Sequence, residues 1–298
     1  KKIKNKKIEY LYDNFIIKND ITMIVSRPGI GKSLISVALC NMFLSDLKIE
    51  RVIYLDGDNS KMTIKSRNID FVFIKLYMNP VYIYFSNILH ENQNKNWVRA
   101  IDSYKIITWI DDLFKIIFEL KKKNLTNFLI VFDSIKNFIV GDRNSHKDVT
   151  TLMNILKELR NNGASIIFFF FYNKLNKEFN SAFAGSSAFL EDIELAYELK
   201  KNNDKQTYIF IPIKDRNNIS NYVAFKYNQD NTLTKIDVDY AIETNEDAES
   251  KELILSFIKN HKDRPIYSEI LKHLVDCGYN KDRINKIIQS GKNVYWKV

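Results

Sequence analysis

The sequence predicts an α/β protein: a mainly parallel sheet flanked by helices, followed by a small helical domain. Three observations carry this. From Ile21 to about Tyr227, short apolar runs alternate with amphipathic helical stretches, the pattern of strands joined by helical crossovers. A loop of small and glycine residues joins the first of these runs to the first helical stretch. After an acidic stretch at 237–250 (DVDYAIETNEDAES) the periodicity becomes helical almost to the end.

In order, the strands are expected at Ile21–Ser26, Arg51–Leu55, Val81–Phe85, Phe128–Phe132, Ser165–Tyr172, Ala196–Lys200, Thr207–Ile213 and Val223–Tyr227. Helices are expected at Lys32–Leu47, Lys105–Lys122 and Lys147–Asn161. The last starts near Ser145 and stops at Asn162-Gly163, a sound C-terminal signal. Residues 86–104 are polar and read as a surface excursion. The domains are expected at 1–236 and 251–298, with 237–250, short of packing residues, as the linker.

The bulk numbers fit this plan. A chain of 298 residues buries a full core and has room for more than one domain, and 45% hydrophobic residues exclude a disordered chain. Lys and Arg number 45 against 36 Asp and Glu, a net charge of +9 that permits a polyanionic partner without requiring one. Cys40 and Cys277 lie far apart with no metal-ligand spacing, and read as reduced thiols of a cytoplasmic protein. No apolar run reaches the roughly 18 residues of a membrane span, and the opening KKIKNKK lacks the apolar segment of a secretory signal. A start at Lys1 without Met suggests a trimmed, longer parent.

Residues 21–34 (ITMIVSRPGIGKSL) carry the sharpest chemical signal. An apolar strand runs into Ser26-Arg27-Pro28-Gly29-Ile30-Gly31, and Lys32-Ser33-Leu34 opens a helix. Small residues let backbone N–H groups curl around phosphate oxygens, and the helix N-terminus adds positive potential. Lys32 reaches the β- and γ-phosphates of ATP, and the Ser33 hydroxyl ligates Mg²⁺. The usual first glycine of such a P-loop is Ser26 here, still small. A chance Gly-Lys-Ser after a strand is the bland alternative. Phe128–Phe132 then runs into Asp133, a carboxylate at a strand's C-terminal end, where ligands gather in open α/β sheets. It suits the Mg²⁺ shell, although a helix N-cap Asp looks the same locally. Asp56-Gly57-Asp58-Asn59-Ser60 ends another strand. Either Asp would serve to activate water, and a turn of that composition needs no function.

The order of these pieces, over residues 10–228, resembles the RecA-like P-loop ATPases, in particular the hexameric replicative helicases of the DnaB and plasmid RepA types. The resemblance implies ATP and Mg²⁺ as ligands, a homo-oligomeric ring, and single-stranded or fork DNA as partner. It implies the catalytic base at Asp58 in VIYLDGDNS, where the family has Glu. It implies a polar sensor at the end of the strand Ser165–Tyr172, where this chain has Phe170 and Phe171, with Tyr172 or Asn173 as substitutes. Residues 181–192 (SAFAGSSAFLED) resemble the segment that follows a channel-facing loop, which implies Lys174 and Lys177 as nucleic-acid contacts; a solvated lysine loop is the alternative. Ile213-Lys214-Asp215-Arg216-Asn217 resembles the paired Lys214 and Arg216 that such enzymes project into a neighbour's nucleotide.

Residues 251–298 hold ten Lys and Arg against five Asp and Glu. Leu253, Ile254, Phe257 and Ile258 make one apolar helical face, Ile266–Leu274 a second and Lys281–Gln289 a third, before Val294-Tyr295-Trp296. This resembles a winged helix, whose basic third helix implies DNA contacts at Lys281, Arg283, Lys286 and Lys292; a winged helix used for protein contacts is the alternative. Together these point to an ATP-driven, ring-forming helicase or translocase of plasmid or phage replication, with an upstream primase module fitting the abrupt start. A RecA-like recombinase or ATP-gated DNA-binding regulator with weak hydrolysis is the second expectation.

Overall fold

The computed structural model describes residues 8–46, 48–56, 59, 61–67, 81–87, 96–100, 105–107, 122, 124–139, 145–171, 187–216, 221–243, 245–261, 263–292 and 296. Asp58, Tyr172, Asn173, Lys174, Lys177, Val294 and Tyr295 lie outside these residues. The chain divides into two compact units, residues 1–201 with 206–238, and residues 202–205 with 239–298.

The first unit opens with a short antiparallel pair, β1 (Tyr10–Tyr12) and β2 (Ile16–Ile17). Then come β3 (Ile21–Ser26), α1 (Lys32–Ser45), β4 (Arg51–Asp56), α2 (Lys61–Ser66), β5 (Val81–Asn87), β6 (Asn96–Ala100) and β7 (Lys105–Ile107). β8 (Phe128–Asp133) leads into a 3₁₀ turn, Ile135–Phe138, followed by α3 (His146–Asn161), β9 (Ser165–Phe171) and α4 (Ser187–Asp192). β10 (Leu195–Asn202), β11 (Thr207–Asp215), β12 (Val223–Tyr227) and β13 (Leu233–Ile236) complete the sheet.

Eleven strands form one sheet in the order β13-β12-β11-β10-β3-β9-β8-β4-β5-β6-β7. β10, β3, β9, β8, β4 and β5 run parallel, and antiparallel strands finish both sides. Parallel strands covered on both faces must be apolar throughout. β3 accordingly is buried along its whole length. Side chains alternate between two cores. Ile24, Tyr54, Val131 and Phe169 join Ile35, Leu39 and Phe43 of α1 on one face. Met23, Leu55, Phe132 and Phe168 join Leu152, Met153 and Leu156 of α3 on the other. α3 starts where the sequence indicates, with the Ser145 hydroxyl accepting from the Asp148 N–H at 3.4 Å.

Three expectations need correction. The helix expected at Lys105–Lys122 begins instead as β7, antiparallel to β6; Ile106 and Ile107 are β-branched and suit a strand edge better than a helix start. The excursion expected at 86–104 holds the end of β5 and all of β6, with Asn87 opposite Asn96 in register. Polar composition suggests a loop there, but an outer antiparallel strand needs only one apolar face.

The third concerns 237–250. In the second unit, α5 (Val238–Ile242) and α6 (Asn245–Asn260) make most of that stretch helical, ahead of α7 (Tyr267–Asp276) and α8 (Lys281–Gly291). The acidic residues that resemble a linker sit in the first turn of α6, where negative charge suits the helix dipole. Glu243 is held at 2.9 Å by both Lys205 and Lys251, which draws its carboxyl below the usual range despite burial. Ile254, Ile270, Leu274, Ile284 and Ile288 form this unit's core with Trp296, whose indole N–H donates to Ile288 O at 3.1 Å. Among the described residues no helix is long and apolar enough to cross a membrane.

Candidate phosphate-binding site

The loop between β3 and α1 makes its turn with two left-handed residues, Gly29 at φ +79° and Gly31 at φ +94°. Residues with a Cβ disfavour that region by about 1–2 kcal/mol, so glycine is required where the chain turns into the helix. Ser26 is not left-handed: it is the last, fully buried residue of β3. A serine there costs the loop no strain, which is why the missing first glycine is harmless. Arg27, Pro28 and Gly29 are exposed and Ile30 is half-buried, while Lys32 and Ser33 are 6% and 8% exposed. Leu34, next in α1, is half-buried.

Two carboxylates meet Ser33 from neighbouring strands. Asp56 ends β4 and Asp133 ends β8, directly opposite each other in register and both wholly buried. The Tyr54 hydroxyl donates to Asp133 Oδ2 at 2.8 Å. Asp133 Oδ1 carries no hydrogen bond, although Ser33 is close enough to act on its charge. Burial and the Asp56 charge push Asp133 above the usual carboxylate range, against Ser33, Tyr54 and Lys32, which pull it down. The Asp133–Ser134 peptide is cis. A buried carboxylate oxygen with no donor, beside a serine hydroxyl, is a place for a cation. Mg²⁺ takes one or two carboxylates and completes its shell with phosphate oxygens and water, so Ser33 and Asp133 fit it.

Asp56, one of the two aspartates left open by the sequence, has a different position from that implied for Asp58. Its Oδ1 accepts from the Asn59 N–H at 3.0 Å and its Oδ2 from Asn59 Nδ2 at 2.9 Å. Asn59 Nδ2 also donates to Ser33 Oγ at 3.1 Å. Asp56 therefore holds Asn59, and Asn59 holds the serine. Neither Tyr54 nor Asn59 stands out in the sequence. The available signals are weak: Tyr54 shares a face with Asp56, two residues on, and Asn59 follows in the same polar turn.

At the sensor position, alternation decides between the two phenylalanines. Phe170 packs into the core against Phe189, ring centres 5.7 Å apart. Phe171, opposite Ser26 in register, turns toward the loop, and Lys32 Nζ lies 2.9 Å from its ring centre.

Lys214 and Arg216 are not brought to this site. The Arg216 N–H donates to Glu194 O at 3.1 Å, and Glu194 precedes Leu195, which pairs with Thr22 at the start of β3. The P-loop leaves the other end of that strand. Arg216 NH1 pairs with Glu194 Oε1 at 3.1 Å and its NH2 donates to Glu191 O, while Lys214 Nζ donates to Leu190 O. In the second unit Lys281, Lys286 and Lys292 are exposed, but Arg283 is half-buried, its Nε donating to Asp247 Oδ1 at 2.7 Å.

No protein-family model and no curated protein matches this sequence. Solved structures do match in fold. The ATPase domain of a DnaB-like helicase superposes with a TM-score of 0.53 at 11% identity, over 74% of this chain and 86% of that one. A DnaB-like replicative helicase, solved in a study of its interactions with primase, superposes with a TM-score of 0.51 at 10% identity, over 78% of this chain and 64% of that one. With its P-loop at the C-terminal edge of a central parallel strand, the chain has the RecA-like P-loop ATPase fold, in the form of the DnaB-type helicase domains.

Proposed function

We propose that the chain is a Mg²⁺-dependent ATPase that works as an oligomer, with the nucleotide bound between subunits, and moves along single-stranded or fork DNA in plasmid or phage replication. The observation that carries the reading is the convergence of Lys32, Ser33 and Asp133 around a buried carboxylate oxygen with no hydrogen bond. The two superposed helicase domains support the motor class. The primase named with one of them suggests a primase module as partner.

In this reading the N–H groups of Gly29–Leu34 cradle the phosphates and Lys32 binds the β- and γ-oxygens. Mg²⁺, when bound, offsets negative charge on those oxygens. Tyr54 holds Asp133 by one oxygen so that the other faces the metal, and Asn59 fixes the rotamer of Ser33. Asp58 deprotonates or orients the attacking water. Lys214 and Arg216 lie too far from their own P-loop to serve it, so they serve a neighbour's, stabilising charge on the transferred phosphoryl group. Lys174 and Lys177 track the DNA backbone in the channel. Residues 251–298 act as a winged helix whose Lys281, Lys286 and Lys292 meet DNA, whereas Arg283, implied as a fourth contact, ties α8 to α6.

The test is ATP hydrolysis with and without single-stranded DNA, on wild type, Lys32→Ala, Arg216→Ala and an equimolar mixture of the two variants. Turnover stimulated by DNA, abolished in each variant and partly restored on mixing, is the expected result. No restoration on mixing would sink the shared site. A second reading, an ATP-gated DNA-binding regulator or recombinase with weak hydrolysis, is favoured by Phe171, which puts an aromatic ring where a hydrogen-bonding sensor would stand. Tight Lys32-dependent ATP binding without turnover selects it.

A further inference from the structure

Lys136 plays no part in the site as described so far. It lies in the 3₁₀ turn Ile135–Phe138, two residues beyond the end of the Asp133–Ser134 pair, and is half-buried. Its Nζ is 4.3 Å from the centre of the Phe171 ring, the same ring that has Lys32 Nζ at 2.9 Å. Those distances keep the two ammonium groups within roughly 7 Å of each other, where like charges in a partly desolvated place repel appreciably. Among the described residues, the ring is the only partner of Lys136. An aromatic face attracts a cation by about 0.5–2 kcal/mol, less than a charge-assisted hydrogen bond yields. Two cations gathered on one ring lack the anion that would satisfy both.

The strand order says which anion group fits. β9 lies between β3 and β8, so Lys32 approaches the Phe171 ring from the P-loop side and Lys136 from the Asp133 side. A polyphosphate on the N-terminus of α1, with its metal at Ser33 and Asp133, extends toward β8 with its terminal phosphate leading. Lys136 stands at that end. We infer that Lys136 is a second phosphate-binding cation, contacting the terminal phosphate of a nucleoside triphosphate, and that Phe171 is the positioning residue that holds it beside Lys32. The inference rests on the P-loop reading above and deepens it. It also gives the site a way to distinguish triphosphate from diphosphate, through a lysine where a hydrogen-bonding side chain on β9 is missing.

The experiment is equilibrium binding to the full chain with Mg²⁺ present, by competition against a fluorescent nucleotide, comparing a non-hydrolysable ATP analogue with ADP. The proteins are wild type, Lys136→Gln, Lys136→Arg and Lys32→Ala, each checked for a wild-type melting profile. Lys136→Gln keeps most of the stem and decides the question, and Lys136→Arg keeps the charge. Expected is a loss of about tenfold or more for the triphosphate in Lys136→Gln, the size of a lost charge-assisted contact. ADP should change by less than about twofold, Lys136→Arg should recover most of the loss, and Lys32→Ala should weaken both ligands. If Lys136→Gln binds both nucleotides as wild type does while Lys32→Ala binds neither, Lys136 has no such role and the P-loop stands. Equal weakening of both ligands in Lys136→Gln overturns the assignment to the terminal phosphate. Wild-type binding by Lys32→Ala would overturn the P-loop reading itself.

Discussion

The two edges of the parallel sheet use the same residue types to opposite ends. At the edge where β3 meets its loop, Lys32, Ser33, Asp56 and Asp133 are all under one-tenth exposed. Two carboxylates face each other there and two lysines share one ring. At the other edge, roughly 17 Å away along the six residues of β3, charges are balanced pair by pair. Arg216 meets Glu194 at 3.1 Å, Lys157 meets Asp192 at 2.7 Å, and Arg160 lies 3.7 Å from Asp20. The first edge is arranged for a ligand that brings both negative phosphates and a positive metal. The second is complete within the chain. Buried like charges cost stability that a ligand restores, so the two edges should answer mutation, pH and nucleotide differently.

The largest effect is expected at Gly31. An added Cβ would lie 2.6 Å from the Tyr208 hydroxyl oxygen, at a φ that L-residues avoid. Tyr208 is 2% exposed and meets Tyr227 edge-on at 6.3 Å, so it has little room to yield. Gly31→Ala should weaken nucleotide binding by about tenfold or more, the equivalent of roughly 1.4 kcal/mol, and lower the melting midpoint. Adding Tyr208→Phe removes the colliding oxygen and should recover part of the stability without restoring the loop. Nucleotide affinity within twofold of wild type in Gly31→Ala would show that the loop tolerates a Cβ and that its geometry is not decisive.

A smaller effect, with the opposite sign, is expected at Asp133. Its folded-state pKa is raised by burial and by Asp56, so the folded chain holds this proton more tightly than the unfolded chain. Stability from this group is therefore full at low pH and declines as pH rises from the ordinary carboxylate range through the raised value, then levels off. Asp133→Asn still accepts from Tyr54 and has no charge to bury. Without ligand it should melt higher than wild type at pH 8 and approach it at pH 5, and each kcal/mol moves the midpoint by roughly 2–4 °C. Nucleotide with Mg²⁺ should raise the midpoint of wild type and leave Asp133→Asn nearly where it was. Thermal melting across pH reads all of this, and an Asp133→Asn less stable than wild type at pH 8 contradicts it.

How far the sequence reveals these edges depends on whether a feature is local. The strand, the glycine turn and the Lys32–Ser33 helix start lie within one run of residues, and so does the apolar strand that ends on Asp133; all of these are legible. The contacts of Asp56 and Asn59 are not. DGDN offers two aspartates, and burial opposite Asp133 depends on a pairing between β4 and β8 that no spacing records. Parity settles Phe171 against Phe170 only once the inward face of β9 is known. Lys136 belongs to no motif; a turn after β8 and a ring on β9 bring it to Lys32. The same limit explains the outer strands β6 and β7 and the helices at 237–250, where composition alone suggests loops. Neighbours supply the partners there, as Lys205 and Lys251 do for Glu243.

The smallest effect is expected at the balanced edge, and it tests whether the edges are separate. Glu194→Ala removes the carboxylate that pairs with Arg216, whose side chain is 48% exposed. Exposed ion pairs contribute about 0.2–1 kcal/mol, so melting should shift only slightly, and less in high salt, where such pairs are screened. Nucleotide binding should stay within about twofold of wild type, because the nearest loop residue lies the length of β3 away. Arg216, no longer held by Glu194, would still have its bond to Glu191 O and be freer to reach outward. A tenfold loss of nucleotide affinity in Glu194→Ala would mean that the pair at this edge supports the phosphate site through the sheet. The comparison would then have to give way to a single coupled network, in which the arginine's partner is part of what shapes the P-loop.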